Sequence, residues 1–262
     1  MITKESLWQT LREEAQTQAQ QEPILASFLH ALILNHSSLA CALSFMLASK
    51  LDSETASALS IREVIEAAHQ DQPKMVNAAH CDIIACVERD SACKQYTTPL
   101  LFFKGYQALQ AHRVSHWLWQ QNRQDMALFF QSRISAVFGI DIHPAAKMGY
   151  GILLDHGTGI VIGETATVGN NVSIMQSVTL GGTGKVSGDR HPKIANNVLI
   201  GAGSKVLGNI IVGEGAQIAP GSVVLKEVPP HTLVSGVPAK VTDTKICQNP
   251  AREMNHSICS GN

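Results

Sequence analysis

His156 and Asp141, fifteen residues apart, are the residue types that proton transfer at a hydroxyl needs. An imidazole with a pKa near 6.5 (its ordinary range) is half-charged close to neutral pH and can take and return a proton. A carboxylate beside it can fix the tautomer and stabilise the imidazolium. A hydrogen-bonded structural histidine is the alternative. A second group lies in the stretch GKVSGDRHP, which puts Lys185, Asp189, Arg190 and His191 close together in a chain only 16% charged. The planar fork of Arg190 suits a carboxylate, and His191 can add a donor.

The elements that must position these groups follow from a period of six. Starting at Ile162, the phase gives Val168, Ile174 and Leu180, then resumes at Ile194, Ile200, Val206, Val212, Ile218 and Val224. Run backwards it meets His156, Tyr150 and Pro144, and forwards Pro230. Ten of these fourteen positions are Ile, Leu or Val. The period is that of a parallel β-helix, whose short stacked strands each bury an aliphatic side chain. An α-helix is excluded, because six is not a multiple of 3.6 and the frequent glycines oppose it. His156 thus stands where an aliphatic residue is expected, and a broken packing rule marks a place to look for chemistry. In the three-sided cross-section of the fold family with this repeat, fifteen residues are nearly one coil, so Asp141 could sit on the coil next to His156. Leu180 and Ile194 are fourteen residues apart, so eight are extra. Solenoids extrude such insertions as loops, often on the binding face. The polar stretch from Gly184 to Pro192 is that loop.

Before residue 140 the pattern changes. Gly105 is the only glycine ahead of Gly139, and apolar residues recur at helical steps, as in Ile61, Val64, Ile65 and Ala68. Several helices are expected, the last running from Leu100 to Phe138 with a break near Asn122. The stretch Ile24–Ser49 lacks Asp, Glu, Lys and Arg. His30, Asn35, His36, Ser37 and Ser38 divide it, so two packed helices fit better than a membrane span. The fold class expected is α+β. A helical oligomerisation domain (1–139) is followed by a β-helix catalytic domain with its extruded loop (140–241) and a flexible tail (242–262).

Twenty basic and 21 acidic residues leave a formal charge of −1. Nothing here supplies the basic surface that nucleic acid or anionic lipid requires. The six cysteines, Cys41, Cys81, Cys86, Cys93, Cys247 and Cys259, form no CxxC pair. The N-terminal MITKESLWQTLREEAQ has no apolar h-region, so a cytoplasmic protein with reduced thiols is expected.

The runs DIHPAAKMGYGILLDHGTGIVIGE, QSVTLGGTG, GDRHPKI and GVPAK closely resemble serine O-acetyltransferases, and TPLLFFKGYQALQAHRVSHWL extends the resemblance into the helical part. The resemblance implies a left-handed β-helix. It also implies trimers that pair through their helices into hexamers, so a homotrimer or dimer of trimers is expected. The implied reaction is acetyl transfer from acetyl-CoA, as co-substrate without a metal, to L-serine. His156 and Asp141 are then the catalytic dyad. Asp90 and Asp155 face the ammonium of serine, and Arg190 and His191 its carboxylate. L-cysteine is expected to compete at the same residues as a feedback inhibitor. Acetyl-CoA is expected in the groove between neighbouring β-helices, against Gly182, Thr183, Ala202 and Gly203, with Lys226 or Lys240 near a phosphate. Related enzymes insert a tail ending in isoleucine into O-acetylserine sulfhydrylase. Here the tail ends HSICSGN, with Asn262 last and Ile258 four residues earlier, which weighs against that partner. The rival readings are another hexapeptide O-acetyltransferase, a zinc-dependent β-helix lyase and a non-catalytic scaffold. The zinc reading lacks a closely spaced histidine pair.

Overall fold

The structure, a computed structural model, describes residues 4–184, 187–243 and 248–256. Its N-terminal half is helical. The helices are α1 (Lys4–Gln21), α2 (Ala26–Leu29), α3 (Leu39–Leu51), α4 (Ala58–Asp71), α5 (Lys74–Arg89), α6 (Thr97–Phe102), α7 (Lys104–Gln120) and α8 (Gln124–Phe138). The starts are set by local chemistry. Ser38 accepts from Cys41 N at the head of α3, and Ser57 from Ser60 N at the head of α4, each at 3.3 Å. The segment 23–34 and α3 meet at 120° across Asn35–Ser38, and no single helix among the described residues is long and apolar enough to cross a membrane. The expected break near Asn122 is a turn with that residue at φ 57°. Helix α8 ends at Gly139, whose φ of 67° is the left-handed stop that glycine adopts without a Cβ clash. The next residue, Ile140, begins the first strand.

From there the chain coils through three parallel faces. Face one stacks Ile140–Ile142, Ile160–Ile162, Thr179–Gly181, Lys205–Leu207 and Val223–Val224. Face two stacks Lys147–Met148, Thr167–Val168, Lys193–Ile194 and Ile211–Val212. Face three stacks Leu153–Leu154, Ser173–Ile174, Leu199–Ile200, Gln217–Ile218 and Leu233–Gly236, closed by the antiparallel strand Ala239–Asp243. The aliphatics meet inside the prism: Ile162 over Leu180, Ile174 over Ile200 and Val206 over Val224. Together with the leucines of α1, α3 and α7 they make one continuous apolar core.

The register corrects the sequence phase at both ends. Before residue 160 the inward positions are Ile142, Met148 and Leu154, paired with Ile162, Val168 and Ile174, each twenty residues on. Pro144, Tyr150 and His156 therefore fall at corners, off the inward column; Pro144 is buried there, while Tyr150 and His156 are exposed. The first coil carries two extra residues at the corner between Leu154 and Ile160, and His156 lies in that enlarged corner. At the far end, Val228 pairs with Val212 and Val234 with Ile218, so Pro230 is not inward either. The eight-residue excursion behaves as expected: Val168 pairs directly with Ile194 across it. Lys185 lies outside the described residues.

Beyond the closing strand, Pro250–Glu253 forms a short helix, α9, which packs on α5. Its Ala251 is buried, and the Ala251 carbonyl accepts from Ser173 Oγ at 2.8 Å. Gln217 Nε2 donates to Asn255 O at 2.7 Å, so residues 250–255 are docked rather than free. Cys247, Ile258, Cys259 and Asn262 lie outside the described residues, and with them the expectations built on the end of the tail.

Candidate active site

Two helix ends and one corner of the solenoid enclose a hollow of about 420 Å³. Its walls include Asp90 at the end of α5, Phe103 and Lys104 at the α6–α7 junction, and Leu154, Asp155 and His156. The close approach depends on Gly105. A Cβ there would lie 2.0 Å from the Leu154 carbonyl oxygen, far inside contact distance. The chain's one early glycine therefore lets α7 sit on the backbone just ahead of Asp155. Lys104 Nζ also donates to Thr158 Oγ1, tying the first turn of α7 to the same corner.

His156 itself has φ 55° and a side chain 73% exposed at the mouth of the hollow. Nothing buries the ring, so it is free to meet a ligand. The left-handed backbone belongs to the corner, since Asn171, Ser177, Asn197 and His231 adopt it at other corners of the solenoid. Its nearest carboxylate is Asp155, with Nε2 and Oδ2 3.9 Å apart. Burial, and then the like charge of Asp90, hold the Asp155 carboxyl above its usual range, against the pull of His156. Asp90 and Asp155, 65 residues apart in sequence, thus face one another's field across the hollow.

Asp141 does not share this hollow. The residue stacked over Asp141 on face one is Val161, five residues past His156, because the enlarged corner shifts the column. Among the described residues Asp141 accepts a hydrogen bond from Gln131 Nε2 at 2.7 Å and lines a different depression beside α8. Within one chain no hydrogen bond joins it to His156.

Arg190 and His191 occupy the opposite edge of face one, where the excursion returns. The Thr165 hydroxyl accepts from the backbone N–H of Arg190 at 3.0 Å and of His191 at 3.1 Å, which pins the loop to the coil beneath. Arg190 Nη2 donates to Glu164 Oε2 at 2.6 Å, and that bond holds the Glu164 carboxyl below its usual range. The His191 ring is buried over Gly163, where a Cβ would come within 2.1 Å of it. Thr165 N donates to His191 Nδ1 at 3.2 Å, which leaves Nε2 as the protonated nitrogen. Burial, then the charge of Arg190, lower the His191 pKa and favour this neutral form.

The remaining small residues divide between the same two edges. Ala202 and Gly203 lie on the His156 edge, with Gly203 at φ 73°. Gly182 and Thr183 lie on the Arg190 edge. Lys240 is exposed on the closing strand, opposite Ser235, and Lys226 is exposed past Val224. His143 Nδ1 accepts from Ala145 N at 3.1 Å, and its ring meets Trp119 edge-on. Sequence reasoning missed Glu164, Thr165, Lys104 and Phe103. Glu164 and Thr165 had one signal, their place two and three residues after an inward aliphatic on the edge that carries the loop. Cys41, Cys86 and Cys93 are free thiols, and no group of three or more His, Cys, Asp or Glu among the described residues is arranged to hold a metal ion.

The family model described as the N-terminal domain of serine acetyltransferase matches residues 7–111, and that of the bacterial transferase hexapeptide, six repeats, matches residues 191–226. The serine acetyltransferase of Escherichia coli strain K12 is 55% identical over 250 residues, which span 95% of this chain and 92% of that protein. The chain belongs to the serine acetyltransferase family. Family members are CoA-dependent acyltransferases, and the shared fold extends over nearly the whole length. The crystal structure of the Vibrio cholerae serine acetyltransferase superposes with a TM-score of 0.96 at 55% identity, covering 97% of this chain and 99% of that one. Serine acetyltransferase structures at 50–53% identity have been solved in complex with cysteine (TM-score 0.96, 97% of this chain and 99% of that chain), with serine (soybean, 0.88, 90% and 97%) and with CoA (0.88, 91% and 100%).

Proposed function

We propose that this chain transfers the acetyl group of acetyl-CoA to the hydroxyl of L-serine, giving O-acetyl-L-serine and CoA. The single observation that carries the reading is the exposed imidazole of His156 at the mouth of a hollow lined by two carboxylates. Asp90 and Asp155 suit an ammonium, and Arg190 with neutral His191 suits a carboxylate. A ligand with both groups, separated by a single carbon, is an α-amino acid.

His156 takes the proton of the serine hydroxyl as its oxygen attacks the thioester carbonyl. The tetrahedral oxyanion draws on backbone N–H groups, with Gly182 as the candidate donor. As the C–S bond breaks, the imidazolium returns its proton to the thiolate of CoA, so no enzyme-bound acetyl group forms. Pantetheine runs past Gly182, Thr183, Ala202 and Gly203, with Lys240 meeting a phosphate. L-Cysteine presents the same ammonium and carboxylate and competes for them.

The two recognition groups sit on opposite edges of face one, at the two ends of Ile160–Ile162. One chain therefore does not close a single pocket around serine. The reading is completed by neighbouring copies, in a trimer or a dimer of trimers, so that the His156 edge of one meets the Arg190 edge of the next. Asp141 points outward from face one between these edges. Its service as the orienting carboxylate of His156 requires that assembly or bound substrate bring the two together.

Thiol release from acetyl-CoA tests the reaction. Release is expected with L-serine, far less with homoserine or sugars, and suppressed by added L-cysteine. Equal release without an amino acid overturns the reading.

A further inference from the structure

Helix α5 carries Asp82 and, eight residues on, ends at Asp90. Eight residues of α-helix span about 12 Å. The Asp82 side chain is fully buried. Its Oδ2 accepts from two side chains of α7, Arg113 Nη2 at 2.6 Å and Gln110 Nε2 at 3.0 Å. Its Oδ1 accepts from the backbone N–H of Ile152 at 2.9 Å. Ile152 is buried too, so that N–H needs an acceptor. Three residues further along the chain is Asp155. One carboxylate thus joins the helix that ends in Asp90 to the strand that runs into Asp155 and His156.

Stability alone does not call for a charged pair here. Buried charges give up hydration that their attraction rarely exceeds, and apolar side chains of similar volume often fill a core as well. The bond to Ile152 N adds something that apolar contact lacks. It is directional and reaches the backbone, so it fixes the helix against one point of the coil. The far end of α5 is held on the second coil, where Arg89 Nη1 donates to Ser173 Oγ at 3.1 Å. Asp82 sets the first coil against that frame. Asp90 and Asp155 are reached along the two arms that leave this tie, one through α5 and the other through Leu153–Leu154.

From this arrangement we propose that Asp82 is a positioning residue for acetyl transfer. By holding Ile152 N it fixes the spacing of Asp90 and Asp155, the two carboxylates that receive the ammonium of serine. The inference rests on the serine reading given above. Asp82 does not line the hollow, so it acts through those two residues and not by touching substrate. The residues assigned to acetyl-CoA lie on neither arm.

Steady-state kinetics and Tm of the full-length protein test this with two double variants. Asp82→Asn with Arg113→Gln exchanges the charges for amides but keeps an acceptor for Ile152 N. Its KM for serine is expected to stay close to that of the parent. Asp82→Leu with Arg113→Met fills the space and removes the acceptor. Its KM for serine is expected to rise about tenfold, the scale of one weakened hydrogen bond to a charged group. Its KM for acetyl-CoA should not change. A merely structural role would not split the two KM values, nor would the amide pair restore the one for serine. Should the apolar pair fail to fold, Asp82→Ser with Arg113→Gln, too short to reach Ile152 N, carries the same expectation. Asp90→Asn in the parent is the control for the underlying reading and should itself raise the KM for serine. If it does not, the ammonium site is wrong and the role of Asp82 falls with it. If it does, and the variants without the acceptor bind serine as the parent does or lose serine and acetyl-CoA affinity together, Asp82 alone is overturned.

Discussion

Gly105 of α7 and Gly157 of the enlarged corner touch. A Cβ on Gly157 would lie 3.3 Å from Gly105 Cα, and one on Gly105 would lie 2.0 Å from the Leu154 carbonyl oxygen. The helical half and the solenoid are thus held at backbone distance next to His156. Gly105→Ala must push α7 away. Overpacking of this kind costs about 1–3 kcal/mol, and each kcal/mol lowers Tm by about 2–4 °C in a chain of this size. Tm should fall by several degrees and kcat/KM for serine should fall with it. An unchanged kcat/KM would show that this contact does not position the site.

His156→Ala should lower the rate of acetyl transfer by about 10²–10⁴-fold, the range of a lost general base. Calorimetric binding of serine and CoA should persist. If Asp141 orients the imidazole in the assembled enzyme, Asp141→Asn should reduce kcat without raising the KM for serine. If Asp141 serves only Gln131, kcat will stay near that of the parent. A trapped acetyl-enzyme in mass spectra of His156→Ala would contradict direct transfer.

Asp90→Asn removes the like charge facing Asp155. The carboxyl of Asp155, held up by burial and by Asp90, should then ionise at lower pH. Serine affinity should weaken through loss of one carboxylate. The acid limb of the pH profile of kcat/KM should move to lower pH, which simple loss of structure does not produce.

A site shared between copies predicts complementation. His156→Ala and Arg190→Ala should each be nearly inactive alone. Coexpressed, they should recover activity, because some interfaces then pair an intact His156 edge with an intact Arg190 edge. Mixed oligomers as inactive as the separate variants would place the whole site in one chain.

His69 and His112 make stability pH-dependent. Burial lowers their pKa values from 6.5 to about 4 and about 3. Below pH 6.5 the unfolded chain binds protons that the folded one refuses. Their contribution is therefore complete above pH 6.5 and declines as pH falls toward 4, by up to about 1.4 kcal/mol per pH unit for each group. Tm should drop between pH 7 and pH 5. His112→Gln and His69→Asn should each flatten that drop.

From residue 160 to 224, the sequence alone was enough to read the solenoid, because each inward aliphatic stacks on another and the period survives the loop. It misled before 160. The enlarged corner shifts the count by two, and Tyr150 and Pro144 resemble tolerable exceptions when only the period is followed. His156 thus invites notice for a packing violation it does not commit; what sets it apart is its exposure at the mouth of the hollow. Arg190 and His191 stand out as a local cluster, and Asp155 is reached through the family resemblance. Asp90 had no local signal, because its relation to Asp155 exists only once α5 lies against the first coil. The buried Asp82–Arg113 pair was invisible for the same reason, since two charges 31 residues apart announce nothing until packing joins them.

Val168 meets Ile194 as though the eight extra residues of the excursion were missing, while Thr165 fastens the point of return. Scaffold and reagent are therefore separable in this architecture. The prism sets only where the protruding segment must leave and rejoin, and its length and content are left open. A shortened or foreign segment spliced between Gly181 and Lys193 would inherit the same mounting, so a new specificity can be explored here without rebuilding the stack beneath it.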